Sequence, residues 1–349
     1  SCPLFTGNPH QENSEVSSLP NLKDCLPMPF EDSRILLVVS YSIVFAIGLP
    51  TNCLTAFLIF VQIRKKNILA VYLLGLLLCE LLYLSTLPLW IIYVQNKHQW
   101  TMGSLACKLT GYIFFCNIYI SILLLCCISI DRYIAVVKSL ETRGVRGQKK
   151  AMVVTVIVFI TVLIVHCPAF TLDDGEQTQN QTACFETLPL NSTLTSLNFA
   201  RFIVGFAVPL IILIFTNYNI FQSTKTSSSL NNHQKAKVKY LAIAIITIFL
   251  ICFAPYHLVL LIRSINFIWN QNDSCSFEQR VYTTSVVFLC LCTVNSIADP
   301  VIYVLITVEV STIKSVLLRF LVAMVNVPSK EEGGHLFGAS QHGDIFITS

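Results

Sequence analysis

Seven long apolar segments constrain the fold of this chain more than any other feature. They are Ile35–Val61, Ile68–Val94, Leu105–Ala135, Ala151–Phe170, Phe199–Phe221, Val238–Ile262 and Val281–Ile306. Each is long enough to cross a bilayer as an α-helix, which takes about 20 apolar residues, and too long for a barrel strand of about 10. With 54% hydrophobic and 12% charged residues, the sequence predicts an all-α membrane protein, a seven-transmembrane helix bundle.

Charged residues predict how this bundle is oriented. The segments that follow spans one, three and five are basic, at Arg64–Lys66, Lys138–Lys150 and Lys225–Lys239. Cytoplasmic loops carry such an excess of Lys and Arg. We therefore expect a multi-pass protein of the plasma membrane with an extracellular amino terminus. Topology also accounts for the net charge of +4, and no nucleic-acid partner is predicted.

Glycosylation sequons and cysteines fall on the predicted outer side. The sequons begin at Asn180, Asn191 and Asn272. The cysteines are Cys25, Cys107, Cys184 and Cys275. Sequons are glycosylated on extracellular segments, and disulfides form in the oxidising environment outside the cell. Cys107 with Cys184 would tie the second outer loop to span three, and the other two would tie the amino-terminal segment to the third outer loop. The sequence leaves all three pairings of four cysteines open.

The chain outside the bundle is short. Residues 1–33 form a polar segment predicted to be extracellular, residues 34–307 the bundle, and residues 308–349 a cytoplasmic helix and tail. Ser311–Val325 is predicted to be a short amphipathic eighth helix on the inner membrane surface, with Lys314 and Arg319 near the headgroups. No signal peptide is evident in the sequence, so the first span is expected to serve as the insertion signal.

Short motifs within the spans carry a family resemblance. They are GLPTN with Asn52, LPLW with Pro88, Cys107 placed 25 residues before Arg132 in ISIDRYIAVV, Pro209, CFAPYH with Pro255, and NSIADPVIY with Pro300. In this order they resemble the rhodopsin-like (class A) G-protein-coupled receptors along nearly the whole chain. The segments LAVYLL, CELLY, TLPLW, FFCNIY and QKAKVK resemble the branch that responds to protons, lysolipids or oxidised fatty acids.

The resemblance implies partners and a switch. Heterotrimeric G proteins and arrestin are the expected protein partners, with membrane lipids around the bundle and an acidic lipid or a proton as ligand. The coupling switch is expected at Asp131, Arg132, Tyr133 and Tyr303. A charge pair such as Asp131–Arg132 can hold a closed state until the arginine turns toward a partner.

Prolines and two departures from the family pattern bear on this switch. Pro209, Pro255 and Pro300 each remove a backbone hydrogen bond and predict bends that the bundle can use as hinges. Phe253 stands where most members of the family have tryptophan, and Asn217 stands where many have tyrosine. We therefore expect the switch to be built differently from the family pattern.

Glu80, within LLLCELLY, is the strongest candidate for a functional site. An acid in hydrocarbon costs more than about 2.5 kcal/mol, so its side chain should face the protein interior. In the resembled fold it faces Asp299, with Ser121, Asn295 and Ser296 nearby, where many relatives hold a sodium ion. Two carboxylates in a poorly solvated cavity repel one another, so proton uptake by the pair is predicted to accompany activation. A sodium-bound or permanently neutral structural pair is the alternative.

Histidines are further candidates for pH sensing. His166, grouped with the proton site, lies near the outer end of span four, and His257 lies in the outer half of span six. The side chain of histidine changes charge in the physiological range. A packing role is the alternative for each of them.

Positive charge amid apolar surface predicts the ligand. The predicted ligand-binding residues are Arg201, Phe114, Tyr119, Phe206, Phe253, His257 and Arg263. Amine receptors carry an acid at the position of Phe114, so a cationic amine is not expected. Arg201 could clamp a carboxylate while the aromatic rings enclose an acyl chain. The alternative for either arginine is a side chain that snorkels to the headgroups, which suffices for Arg263.

Other protein classes fit the sequence less well. There is no H-E-x-x-H motif and no lysine in the last span, so neither an enzyme nor a retinal-binding light receptor is predicted. No cofactor or metal is expected beyond a possible sodium ion. A membrane transporter that uses the buried acids as a proton relay is the main alternative, although no inverted repeat is evident.

Overall fold

Seven helical spans make up the part of the chain that the structure describes. The computed structural model covers residues 29–138, 147–167, 184, 190, 192–226, 231–270 and 274–307, without the side chains of Phe30, Ser274, Cys275 and Thr307. Its helices are α1 (Phe30–Arg64), α2 (Leu69–Gln95), α3 (Ser104–Val137), α4 (Gln148–His166), α5 (Ser192–Phe202), α6 (Val208–Thr226), α7 (Asn232–Ile248), α8 (Ala254–Trp269), α9 (Ser274–Thr293) and α10 (Asn295–Thr307). Seven helical runs are long and apolar enough to cross a membrane, which confirms the predicted bundle.

Three spans depart from regular α-helix near their prolines. In the fifth span a π-helical segment, Ile203–Ala207, joins α5 to α6 just before Pro209. In the sixth, Phe249–Phe253 joins α7 to α8 just before Pro255. Proline has no N–H to donate, so the carbonyl four residues earlier loses its α-helical partner and a wider turn can form there. The seventh span is divided into α9 and α10, with Pro300 inside α10.

The core of the bundle is formed largely by α2 and α3, the two most buried spans. Their fully buried apolar side chains include Leu76, Leu84, Leu87, Ile122, Leu124 and Leu125. In contrast, α4 exposes Ile157 and Ile164 on the outside of the bundle. An exposed apolar surface of this kind is what a lipid-facing helix requires.

The predicted outer ends of α2 and α3 are fixed by three contacts. Cys107 and Cys184 form a disulfide across 77 residues, which confirms one of the pairings considered from sequence. The backbone N–H of Cys184 donates to the Tyr93 hydroxyl over 3.1 Å. The indole N–H of Trp100 donates over 2.8 Å to the carbonyl of Gly103, which directly precedes α3 at a φ of 86° that suits only glycine.

Several predictions lie outside the described residues. They concern Cys25, the sequons at Asn180, Asn191 and Asn272, the amphipathic helix Ser311–Val325 and the terminal segments. The side chain of Cys275 is not described either, so its pairing with Cys25 stays a prediction.

Candidate functional site

A buried carboxylate lies at the centre of the bundle. Glu80 on α2 is fully buried and accepts hydrogen bonds from four side chains. The donors are Asn117 at 3.3 Å, Ser121 at 3.2 Å, Asn295 at 2.9 Å and Ser296. A buried carboxylate is tolerated when its oxygens are bonded in this way. The structure therefore brings Glu80 together with three of its predicted neighbours and adds Asn117.

Asp299 shares one of these donors with Glu80. The amide nitrogen of Asn295 lies 2.9 Å from Oε1 of Glu80 and 3.3 Å from Oδ2 of Asp299. Oδ1 of Asp299 and Oδ1 of Asn295 are buried and have no hydrogen-bond partner among the described residues. Two unsatisfied acceptors beside a second carboxyl group fit a proton on one carboxyl group, and they equally fit a hard cation such as sodium.

Helical spacing explains why these residues converge. Asn117 and Ser121 lie four residues apart on α3, as do Asn295 and Asp299 on α10, so each pair shares one helix face. Asn52 on α1 donates to a backbone carbonyl at the start of α10 over 2.8 Å. The network thus connects α1, α2, α3 and α10.

The predicted histidines lie in a separate cluster in the predicted outer half of the bundle. His257 is fully buried, stacks on Phe206 at a centroid distance of 5.4 Å and meets Tyr119 edge-on at 5.9 Å. His166 stacks on Tyr119 at 4.9 Å and does not join the Glu80 network with which it was grouped. In both histidines Nδ1 lies within 2.9 Å of the carbonyl oxygen four residues earlier, so Nδ1 carries a proton.

The guanidinium of Arg201 places a positive charge beside this cluster. Its guanidinium lies over the ring of Phe115, 5.0 Å from the ring centre, at the end of α5. The structure shows no ion pair for it within the described ranges. The hydroxyl of Tyr119 is buried without a hydrogen-bond partner among the described residues, and a hydroxyl can donate to an anionic group. The arrangement can therefore accept an anionic group.

Arg263 has a partner of its own. Its Nε and Nη2 donate to Oε2 of Glu278 on α9 at 2.8 and 2.7 Å. The two side chains are only 17% and 3% exposed. This pairing does not fit the alternative in which Arg263 snorkels to the headgroups, because a buried carboxylate from the neighbouring helix neutralises its charge, and a ligand-binding role for Arg263 stays a prediction. This pair joins α8 to α9, and the structure does not bring Arg263 to the Arg201 cluster.

The aromatic residues predicted to enclose a ligand divide between two places. Phe206 belongs to the histidine cluster and stacks on Phe249 at 5.4 Å, and Phe249 in turn packs on Phe253 at 6.0 Å. Phe114 instead lines a separate cavity between α1, α2, α3 and α9. Sequence reasoning missed this cavity, since an apolar run within a span gives no sign of a void.

Comparison with known proteins identifies the family. A family model described as "7 transmembrane receptor (rhodopsin family)" matches residues 51–303. The chain is a rhodopsin-family G-protein-coupled receptor. It is 52% identical over 317 residues to the human protein "Probable G-protein coupled receptor 132", covering 88% of this chain and 82% of that protein. The mouse protein of the same name is 55% identical over 294 residues, covering 83% and 75%. Mouse "G-protein coupled receptor 68" is 34% identical over 298 residues, covering 85% and 78%.

Family membership settles the class of the protein. It confirms the resemblance drawn from the motifs and favours a receptor over a transporter. The receptor is a multi-pass membrane protein of a family that signals through heterotrimeric G proteins, and this family is one of receptors rather than enzymes.

At its predicted inner end the receptor holds the charge pair expected from sequence. Nη2 of Arg132 lies 3.0 Å from Oδ2 of Asp131 at the end of α3. Tyr133 packs on Phe215 of α6 with ring centres 5.7 Å apart, and Tyr303 of α10 is buried. The arginine is thus paired within the protein, as the predicted closed state requires.

Asn217 ties three spans of the receptor together near this pair. Its amide nitrogen donates over 3.3 Å to the carbonyl of Ala242 on α7, and its oxygen accepts from Ser129 on α3 at 3.4 Å. Ser129 also bonds to Thr216 at 2.7 Å. Asn217, which stands where many members of the family have tyrosine, therefore bonds the fifth span directly to the sixth.

Proposed function

We propose that this receptor is activated by an acidic lipid, such as an oxidised or conjugated fatty acid or a lysolipid, whose acidic group binds Arg201. The supporting observation is a guanidinium held against Phe115 with no described ion-pair partner. A guanidinium presents its donors in a planar fork that matches carboxylate or phosphate oxygens. Phe206 and the other rings of the histidine cluster offer apolar surface to the acyl chain.

The anchor is tested by measuring G-protein activation by an oxidised long-chain fatty acid and by its methyl ester. Losing a hydrogen bond to a charged group costs about 1.5 to 3 kcal/mol, so Arg201→Ala should raise the half-maximal concentration of the acid at least about tenfold. The methyl ester should be weak on both forms. Arg280→Ala, which removes an exposed arginine from α9, is the matched control. Equal potency on R201A and the intact receptor would refute the anchor.

The Glu80 network supports a second input, uptake of a proton by the Glu80–Asp299 pair. The two carboxyl groups share one amide donor, and Oδ1 of Asp299 lacks a described partner. Two ionised carboxylates in a poorly solvated interior repel one another, whereas a protonated carboxyl group gains a hydrogen that it can donate. The proton belongs to the pair rather than to either residue. A sodium ion held by the same oxygens would compete with it.

This input is tested by a pH titration of G-protein activation from about 8 to 6. The double variant Glu80→Gln with Asp299→Asn should flatten or displace the curve. Glu31→Gln is the control. It removes one negative charge from an exposed acid of α1 that pairs with Arg34, and it should leave the pH curve unchanged. A double variant with unchanged basal signalling and unchanged pH response would show that the pair is structural.

The proposal also includes location and further partners. We place the receptor in the plasma membrane with its amino terminus outside, and we include arrestin among its partners. Lipid and proton can then act together, because each shifts the equilibrium between inactive and active receptor on which the other acts. Detection of an amino-terminal epitope on intact cells tests the orientation.

A further inference from the structure

A groove lies between the predicted outer ends of α1 and α2. It has a volume of about 220 Å³ and is lined by Arg34, Ile35, Val38 and Val39 of α1 and by Gln95 of α2. The side chains of Ile35 and Val39 are 73% and 49% exposed. Exposed apolar side chains on a membrane-spanning helix face lipid. The groove therefore opens toward the bilayer, and its apolar wall can take an acyl chain.

Three charged side chains form the polar edge of this groove. The carboxylate of Glu31 lies between two cations, with Oε2 3.0 Å from Nε of Arg34 and Oε1 3.7 Å from Nζ of Lys97. Glu31 thus keeps the two cations close together, although Arg34 belongs to α1 and Lys97 follows α2. Two cations and one anion leave one positive charge. The edge is therefore complementary to a group that carries a single negative charge.

The backbone at Lys97 is unusual for a lysine. Its φ is 53°, in the left-handed region that residues with a side chain rarely adopt. Residues held in such conformations cluster at ligand clamps and other functional sites. Here the left-handed turn comes directly after α2 and places the ammonium group of Lys97 beside Glu31. The polar edge is thus held in place from both helices.

Arg34 has donors to spare for an anion. Its Nε pairs with Glu31, and its two terminal nitrogens make no ion pair or hydrogen bond with the described residues. The side chain is 36% exposed, so a ligand can reach these nitrogens. A guanidinium presents its N–H groups in a planar fork that binds two oxygens of a phosphate. A phosphodiester, which carries one negative charge, matches both the fork and the charge of the edge.

We propose that this groove binds a glycerophospholipid of the outer leaflet, with its phosphodiester on Arg34 and Lys97 and one acyl chain along the apolar wall of α1. The side-chain amide of Gln95 on the facing wall can donate to an ester carbonyl of the lipid. A free phosphate would leave the apolar wall uncovered, so the groove favours a lipid. The site lies apart from Arg201 and from the Glu80 network, and its occupancy is measured as lipid binding rather than as G-protein activation.

The test is native mass spectrometry of the full-length receptor, delipidated in detergent, with dioleoylphosphatidylcholine added in steps. Two reference compounds separate the parts of this lipid. Dioleoylglycerol has the chains without the phosphate, and glycerophosphocholine has the phosphodiester without the chains. The first phospholipid should bind more tightly than either reference. Arg34→Gln should weaken that first binding at least about tenfold, as for the loss of a hydrogen bond to a charged group.

Matched controls come from the same chain. Arg280→Gln removes an exposed arginine from α9 and should leave phospholipid binding unchanged. Val39→Trp keeps the polar edge and fills the apolar part of the groove, so it should weaken phospholipid binding. Thermal unfolding in detergent checks that the variants are folded.

Three results would overturn the proposal. Equal phospholipid affinity for Arg34→Gln and the intact receptor would show that the guanidinium does not bind the lipid. Equal affinity for phosphatidylcholine and dioleoylglycerol would show that α1 contacts acyl chains without recognising the phosphate. Binding of glycerophosphocholine as tight as that of the phospholipid would show a site for free phosphate esters instead.

Discussion

The side-chain amide of Asn295 donates to Glu80 over 2.9 Å, although 215 positions separate the two residues in the chain. This bond joins the second span to the break in the seventh. Ser296, the next residue, donates to the same carboxylate. The carboxylate of Glu80 is therefore bonded to two residues at the start of α10, the helix that also carries Tyr303.

Removing the shared amide should weaken the fold measurably. In Asn295→Ala one oxygen of each buried carboxyl group loses a donor, so the free energy of unfolding should fall by about 1 to 3 kcal/mol. Thermal unfolding in detergent measures this loss. Asn270→Ala is the control, because that amide is exposed and, among the described residues, bonds to Asn266. Equal unfolding temperatures for the two variants would show that the amide contributes nothing.

Gly205 should not tolerate replacement by a residue with a side chain. A Cβ added there would overlap the ring of Tyr119, so Gly205→Ala must displace that ring from its place between His166 and His257. We expect lower potency of acidic lipids and a lower unfolding temperature. Gly147→Ala adds the same methyl group where no atom of the described residues lies within 4 Å and the backbone is extended. A potency in G205A that matches that of G147A would contradict the prediction.

The Arg263–Glu278 pair should be costly to break and cheaper to replace. Glu278→Gln leaves a largely buried guanidinium without its counter-charge, and such losses cost about 3 kcal/mol. Substituting leucine at both positions removes both charges and should recover much of the stability. Unfolding temperatures of the single and double variants measure this. Additive losses would mean that the two side chains act independently.

Asn217 should restrain the receptor in its closed state. Asn217→Ala removes the bond from α6 to the Ala242 carbonyl of α7, so the sixth span can move more easily and basal G-protein activation should rise. Nucleotide exchange on an added G protein without ligand is the readout. Asn219→Ala removes an exposed side chain whose bond, within the described part of the chain, is to its own helix, and basal exchange should stay unchanged. Unchanged basal exchange in N217A would refute the restraint.

Helical periodicity explains how much of this could be predicted. The spans follow from apolar run length. The neighbours of Glu80 were expected from the resemblance to the receptor family, and spacings of four residues explain why they share helix faces. Asn117 could have been added by the same rule, because it lies one turn before Ser121. The partner of Arg263 could not, since contact with Glu278 depends on how two helices cross. The aromatic cavity is likewise set by the relative positions of four helices.

The π-helical segment Ile203–Ala207 has a consequence for any comparison of this receptor along its fifth span. A π turn takes one more residue than the α turn it replaces, and one residue corresponds to about 100° around a helix. A helical wheel drawn outward from Pro209 therefore assigns Arg201 to the wrong side by roughly that angle. A relative without the extra residue would present a different neighbour at this place, so equivalent positions beyond the segment must be matched by location in space and not by counting.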